Sequence, residues 1–161
     1  MSHRRRCGRF PKQRSLHDRP EVSGLAEWLE SRLSEGMKPN EVAIFGRTEA
    51  VLHDRAEPAL EAAGLRGQLL NDDDAATENH VSIGTMHRAK GLEFKAVAIV
   101  GCDLGVLPLR SVLDGMVDLA DQALFVEQER NLFYVALTRA REQVLITHTS
   151  RPSVLLAKMS S

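Results

Sequence analysis

Apolar positions in this chain change their spacing several times, and each change marks an element. Val22, Leu25, Ala26, Leu29 and Leu33 fall at helical intervals, with Gly36 as a stop and Pro39 beyond it. EVAIFG, at 41–46, is a short apolar run rich in strand formers. EAVLHDRAEPALEAAGL, at 49–65, reads as a helix that ends at Gly64. A distortion is expected near Pro58, whose ring removes a donor and crowds the preceding turn. NDDDAATEN (71–79) is a polar loop and HVSIG (80–84) a strand, while KAVAIVG (95–101) is nearly continuous in apolar residues, the mark of a strand covered on both faces. Residues 102–120 mix Gly, Pro and Asp and read as an irregular excursion. A strong helix is predicted over 122–140, with Phe125, Leu132, Phe133, Ala136, Leu137 and Ala140 on its apolar side, then a last strand, QVLITH, at 143–148. SVLLAKM (153–159) looks like the opening of a further helix met by the chain end, as in a fragment of a longer protein. Strands alternating with helices imply parallel pairing through right-handed crossovers, so the expected class is α/β with a mostly parallel sheet.

Composition narrows this picture. The chain has 161 residues, 43% hydrophobic and 27% charged, which is the range of one ordinary globular domain with a core of its own. A formal charge of −1 excludes a uniformly basic coat, so any polyanion must be met by local patches. One such patch is residues 1–20, which hold seven Lys or Arg residues and no hydrophobic period; they read as a flexible basic arm before a domain at 21–161. Cys7 and Cys102 match no metal-ligand spacing and read as free thiols, so no metal site is expected. No apolar run is long enough to span a bilayer and no apolar stretch follows the basic start, so a cytoplasmic protein without a membrane partner is expected.

Two stretches carry chemistry. The first, TMHRAKGLEF at 85–94, leaves the end of a predicted strand, where ligands of open α/β sheets gather. Its backbone amides, the Thr85 hydroxyl, the His87 ring and the Arg88 and Lys90 cations are all able to serve phosphate oxygens. Glu93, beside the Gly91 turn, is a good acceptor for ribose hydroxyls. The alternative is a solvated turn. No G-x-x-x-x-G-K-[ST] loop occurs in the chain. The second stretch is EQERNLFYVALTRAR at 127–141, in which Gln128, Leu132, Val135 and Arg139 would share a helix face and Arg139 and Arg141 would lie near the helix end. A charged terminus that complements the helix macrodipole is the competing explanation.

TMHRAKGLEF followed by EQERNLFYVALTRAR closely resembles motifs V and VI of the UvrD/Rep family of superfamily 1 DNA helicases. AVAIVGCDLGVLP resembles that family's strand and loop after motif V, EVAIFGRTEA its strand ending in an Arg-Thr step, and GLAEWLESRLSEGMKPN the helix before that strand. The resemblance implies a second RecA-like domain: a three-layer, P-loop NTPase-like fold without its own Walker A loop. It implies that ATP and Mg²⁺ are held mainly by an N-terminal RecA-like domain acting as partner. Arg139 would be the arginine finger and the catalytic residue, Glu93 the ribose contact with the Gly91 turn beside it, and Thr85, His87, Arg88, Lys90 and Arg47 the contacts to single-stranded DNA or a single/double-strand junction.

The sequence departs from the family in three places. Glu49 stands where Asn is frequent, Gln128 interrupts an acid-rich opening, and the large insertion that some relatives carry before motif V is absent. The expected function is the C-terminal motor domain of an ATP-dependent DNA helicase or translocase, inactive as an isolated fragment. The alternative is a non-catalytic nucleic-acid-binding or regulatory module that keeps the fold.

Overall fold

The computed structural model describes residues 14–15, 20–71 and 76–157. Its elements in order are β1 (Arg14–Ser15), α1 (Pro20–Ser34), β2 (Val42–Gly46), α2 (Glu49–Val51), α3 (Glu57–Ala62), β3 (Arg66–Leu69), β4 (His80–Thr85), β5 (Phe94–Ile99), α4 (Arg110–Leu113), α5 (Leu119–Leu137), β6 (Ala140–His148) and α6 (Val154–Ala157). The strands form one sheet in the order β1-β6-β5-β2-β4-β3, and every pair in it is parallel. The remainder of the predicted basic arm at 1–20 lies outside the described residues, as do 72–75 within the predicted polar loop and the last residues, 158–161.

Alternation along the strands builds two cores from one sheet. Successive side chains of a strand point to opposite faces. Ala43 and Phe45 of β2 therefore join Val97, Ile99, Phe133, Ala136 and Ile146 under α5, while Val42 and Ile44 join Leu25, Leu29, Leu60, Val81 and Ala98 under α1 and α3. All five residues of β2 are buried, as befits a central strand covered on both sides. Phe45 meets the edge of Phe94 at a centroid separation of 6.0 Å, which ties the centre of the sheet to the first residue of β5.

The helix predicted over 49–65 keeps helical backbone through the join of its parts but changes its hydrogen bonding. A π-turn at Leu52–Ala56 separates α2 from α3 and comes directly before Glu57 and Pro58. The distortion precedes the proline because the donor and the space that Pro58 withdraws belong to the turn before it. Thr48 caps the segment, its Oγ1 accepting from the Val51 amide at 3.2 Å.

Four expectations are corrected. Strand β3 was not foreseen: its side chains are largely exposed, and Gly67 breaks any alternation. Gly67 is needed for close approach, since a Cβ there would fall 2.1 Å from Ile83 Cδ1. The long helix is Leu119–Leu137 rather than 122–140, starting at Asp118, which accepts from the Ala120 amide at 2.7 Å. The last strand begins at Ala140, ahead of Gln143, because Ala140 pairs with Phe94. The excursion after β5 is less irregular than expected, containing the short helix α4.

Phe45→Ala should cost about 3–5 kcal/mol, the usual range for emptying an aromatic site in a core. Urea unfolding of the two proteins checks this through the shift of the midpoint at constant slope.

Candidate functional site

Parallel strands give the sheet a carboxyl edge and an amino edge, and the candidate residues are divided between them. Gly46 and Thr85 are register partners at the carboxyl ends of β2 and β4. Arg47 and the turn Met86–Arg88 therefore step off the sheet side by side. Phe94 and Ala140 are partners at the amino ends of β5 and β6, which places Glu93 and Arg139 together at the opposite edge. The Phe94 amide donates to the Arg139 carbonyl at 2.9 Å and fixes that neighbourhood. Strand β5, Phe94–Ile99, with the residue flanking it at each end separates the two edges by roughly 20 Å at 3.3 Å per residue. The carboxyl edge thus carries Arg47 and the turn that follows Thr85, and the amino edge carries Glu93 and Arg139.

At the carboxyl edge, Arg47 is the central cation. Its Nε donates to Glu129 Oε2 at 2.7 Å, and the two side chains are only 12% and 4% exposed. The Leu109 amide donates to the same oxygen at 3.3 Å. His87 is exposed, yet its pKa is lowered, first by partial burial, then by the Arg47 charge; the Glu129 carboxylate opposes both. Thr85 opens the turn without a side-chain cap bond. Arg88 and Lys90 are exposed, while Met86 and Ala89 between them point into the core beneath α5. The i, i+3 pair Met86 and Ala89, anchored in the core on either side of His87 and Arg88, leaves those two on the outer side of the turn.

Gly91, at φ 81°, turns the chain toward the amino edge in a conformation that a side chain would strain. The Leu92 amide closes this turn on the Ala89 carbonyl at 3.2 Å. Glu93 then pairs with Arg141 at 3.1 Å, with 63% and 61% of the side chains exposed. A pair this wet contributes about 0–1 kcal/mol, so a ligand hydroxyl competes for the carboxylate on nearly equal terms. Arg139 lies past the end of α5, in the turn after Thr138, and not on the helix face expected from spacing. Its guanidinium folds back, Nε donating to the Val135 carbonyl at 3.2 Å and Nη2 to Thr138 Oγ1 at 3.3 Å. Gln128, grouped with it by spacing, is fully on the exposed side.

Two buried glutamates help to complete the carboxyl edge and were not singled out in the sequence. Glu129 is one. Glu21 is the other, accepting from the Gly101 amide at 3.1 Å and engaging Arg55 and the Thr147 hydroxyl. Both carry the same signal: an acid one helical turn before apolar core residues, Glu129 before Phe133 and Glu21 before Leu25. Asp103, also buried, accepts from the amides of Thr149 and Ser150 at 2.7 and 2.9 Å and holds the chain as it leaves β6. Cys102 is a free, buried thiol whose pKa burial pushes well up, while Cys7 lies outside the described residues. Among the described residues no group of three acids, histidines or cysteines could hold a metal, and no helix is long and apolar enough to cross a membrane. His53 is exposed and lies within hydrogen-bond distance of Glu57, whereas His148 is buried.

The sequence matches the family described as UvrD-like helicase C-terminal domain over residues 28–151. It is similar to the ATP-dependent DNA helicase PcrA of Staphylococcus aureus, 44% identical over 81 residues that make up 49% of this chain and 10% of that protein. PcrA of Staphylococcus epidermidis is 40% identical over 79 residues, again 10% of its length. The chain thus spans about a tenth of the length of these curated relatives. The solved C-terminal domain of a possible DNA helicase from Lactobacillus plantarum superposes with a TM-score of 0.62 at 23% identity, covering 89% of this chain and 75% of that one. That likeness carries the fold, a RecA-like α/β domain.

Because Arg47 lowers the His87 pKa and Glu129 raises it, Arg47→Ala should raise that pKa toward its ordinary value. An NMR titration of the histidine ring checks this, and a fall would contradict it. In the wild-type chain the lowered value means that stability from neutral His87 is full above about pH 6.5 and declines as pH falls through that value toward the folded pKa.

Proposed function

We propose that this chain, which belongs to the UvrD-like helicase C-terminal domain family, is the second motor half of an ATP-driven DNA translocase working in the cytoplasm. In this reading its amino edge faces a nucleotide held mainly by a Walker-bearing partner domain, and its carboxyl edge faces single-stranded DNA or a single/double-strand junction. The observation that carries the reading is the Phe94–Arg139 backbone bond, which sets a carboxylate and a guanidinium on one rim of the sheet while Arg47, Thr85 and His87 occupy the other.

The residues at the amino edge fit a share of an ATP site. Glu93 is exposed and held only by a screened ion pair, so it suits ribose hydroxyls beside the Gly91 turn. Arg139 makes its two bonds within its own turn, so extending the guanidinium toward a phosphate disturbs nothing in the core. ATP supplies the phosphoryl group and Mg²⁺ part of the charge compensation, and both would rest mainly on the partner. Phosphoryl transfer depends on positioning and charge neutralisation, and an arginine delivered in trans is worth roughly 10³–10⁵ in rate. That is about 4–7 kcal/mol of barrier. Delivery requires the two domains to close, which would make the finger report nucleotide state to the DNA-facing edge.

At the carboxyl edge, Thr85, His87, Arg88 and Lys90 on one turn, with Arg47 beside them, suit the oxygens of a nucleic-acid backbone. One observation favours a second reading, a binding or regulatory module without catalysis. Glu49, exposed in the first turn of α2 and two residues from Arg47, adds a carboxylate where phosphate would approach.

The 161-residue chain alone should hydrolyse ATP at background. Supplied with the Walker-bearing domain of the same protein, turnover stimulated by single-stranded DNA should appear, and Arg139→Ala should lower kcat at least about 10³-fold. Restored turnover that Arg139→Ala leaves untouched would remove the finger assignment. Failure to restore any turnover, with DNA binding intact, would favour the non-catalytic module.

A further inference from the structure

Glu129 is an acid on the core-facing side of α5, one turn before Phe133, and its side chain is 4% exposed. A single oxygen, Oε2, gathers the Arg47 Nε at 2.7 Å and the Leu109 amide at 3.3 Å. It therefore joins three parts of the chain: the end of the central strand, the connection after β5, and the middle of the long helix. Stability alone does not explain such a pair, because replacing a buried ion pair with apolar side chains of similar volume is often neutral or stabilising. What the pair fixes is direction. A guanidinium is planar, so holding Nε in plane sets where the two Nη groups point. Among the described residues neither Nη of Arg47 has a protein hydrogen-bond partner; Arg47 follows Gly46, the register partner of Thr85, and its charge is felt at His87 on the adjoining turn.

We propose that Glu129 is a positioning residue: it grips Arg47 by Nε so that the two Nη groups are presented as a preset fork to a nucleic-acid phosphate at the carboxyl edge. The inference rests on the nucleic-acid role given to that edge above. A phosphate matches such a fork in a bidentate manner, and presetting the fork removes the cost of ordering a long side chain at the moment of binding.

The test uses the whole 161-residue chain and a fluorescein-labelled oligo(dT) followed by anisotropy at low salt, with circular dichroism and melting recorded for every variant. Glu129→Gln is expected to weaken binding about tenfold, the scale of a hydrogen bond to a charged group, while remaining folded. Arg47→Ala should weaken it at least as much, and adding Glu129→Gln to it should produce no further loss, since the two residues act as one unit. In Glu129→Gln the His87 titration should also move down, because the one carboxylate that raises it is gone. A residue that merely braced the fold would alter melting and leave affinity unchanged. Wild-type affinity in Glu129→Gln, or losses that add in the double variant, would overturn the proposal. Should Glu129→Gln fail to fold, Arg47→Lys decides: it keeps the charge but has no Nε to grip, so tenfold weaker binding supports the proposal and unchanged binding overturns it. If the wild-type chain itself binds no oligo(dT), the nucleic-acid reading of the edge fails, and the proposal with it, a result distinct from equal binding by wild type and variant.

Discussion

Parallel pairing of every strand is the constraint from which the rest of this structure follows. A parallel neighbour cannot be reached by a tight hairpin, so each connection must carry the chain back across the sheet. The stretch from Thr85 to Phe94 does this in a few residues: it leaves the carboxyl end of β4 and enters the amino end of β5, on the other side of central β2. One short motif thus supplies polar groups to both rims. Buried Met86 and Ala89 hold it to the face beneath α5 as it crosses.

Helix α5 makes the return crossing in one piece. Glu129, in its middle, reaches the carboxyl edge through Arg47, and its last residue, Leu137, delivers the chain to Arg139 at the amino edge. The rise between Glu129 and Leu137 is about 12 Å at 1.5 Å per residue. The helix on the other face is anchored in the same manner. Glu21 at the start of α1 takes the Gly101 amide at the carboxyl edge, as Glu129 takes the Leu109 amide. Each face of the sheet thus has one helix tied to the carboxyl edge by one buried glutamate. Elsewhere the attachment is apolar packing, which is non-directional. The glutamates supply the direction.

Most of the architecture was legible because the strands that matter are buried and the helices are periodic. VAIFG and AVAIV are continuous apolar runs, and the long helix carries an apolar stripe. The α/β class and the alternation of elements follow from these. Strand β3 was hidden because RGQL lies at the sheet's margin, where exposure removes the apolar signal and pairing with β4 alone makes it a strand. The end of α5 was misplaced by spacing because Arg139 continues a helical period that the backbone has already left at Thr138. The exposed members of the site were visible as an excess of polar chemistry at a strand end. The buried ones, Glu129 and Glu21, were passed over because a single acid within an apolar stripe looks like an ordinary charged position until its partners, Arg47 and the Gly101 amide, are brought in from distant parts of the chain.

The central claim is that the two rims divide the labour, nucleic acid at one and nucleotide at the other. The most direct measurement is amide chemical-shift mapping of the 161-residue chain titrated with single-stranded DNA. The two-edge assignment predicts shifts concentrated at Arg47, Thr48 and residues 85–90, with residues 93 and 139–141 unmoved. Shifts centred on Glu93 and Arg139, or spread evenly over both rims, would contradict it.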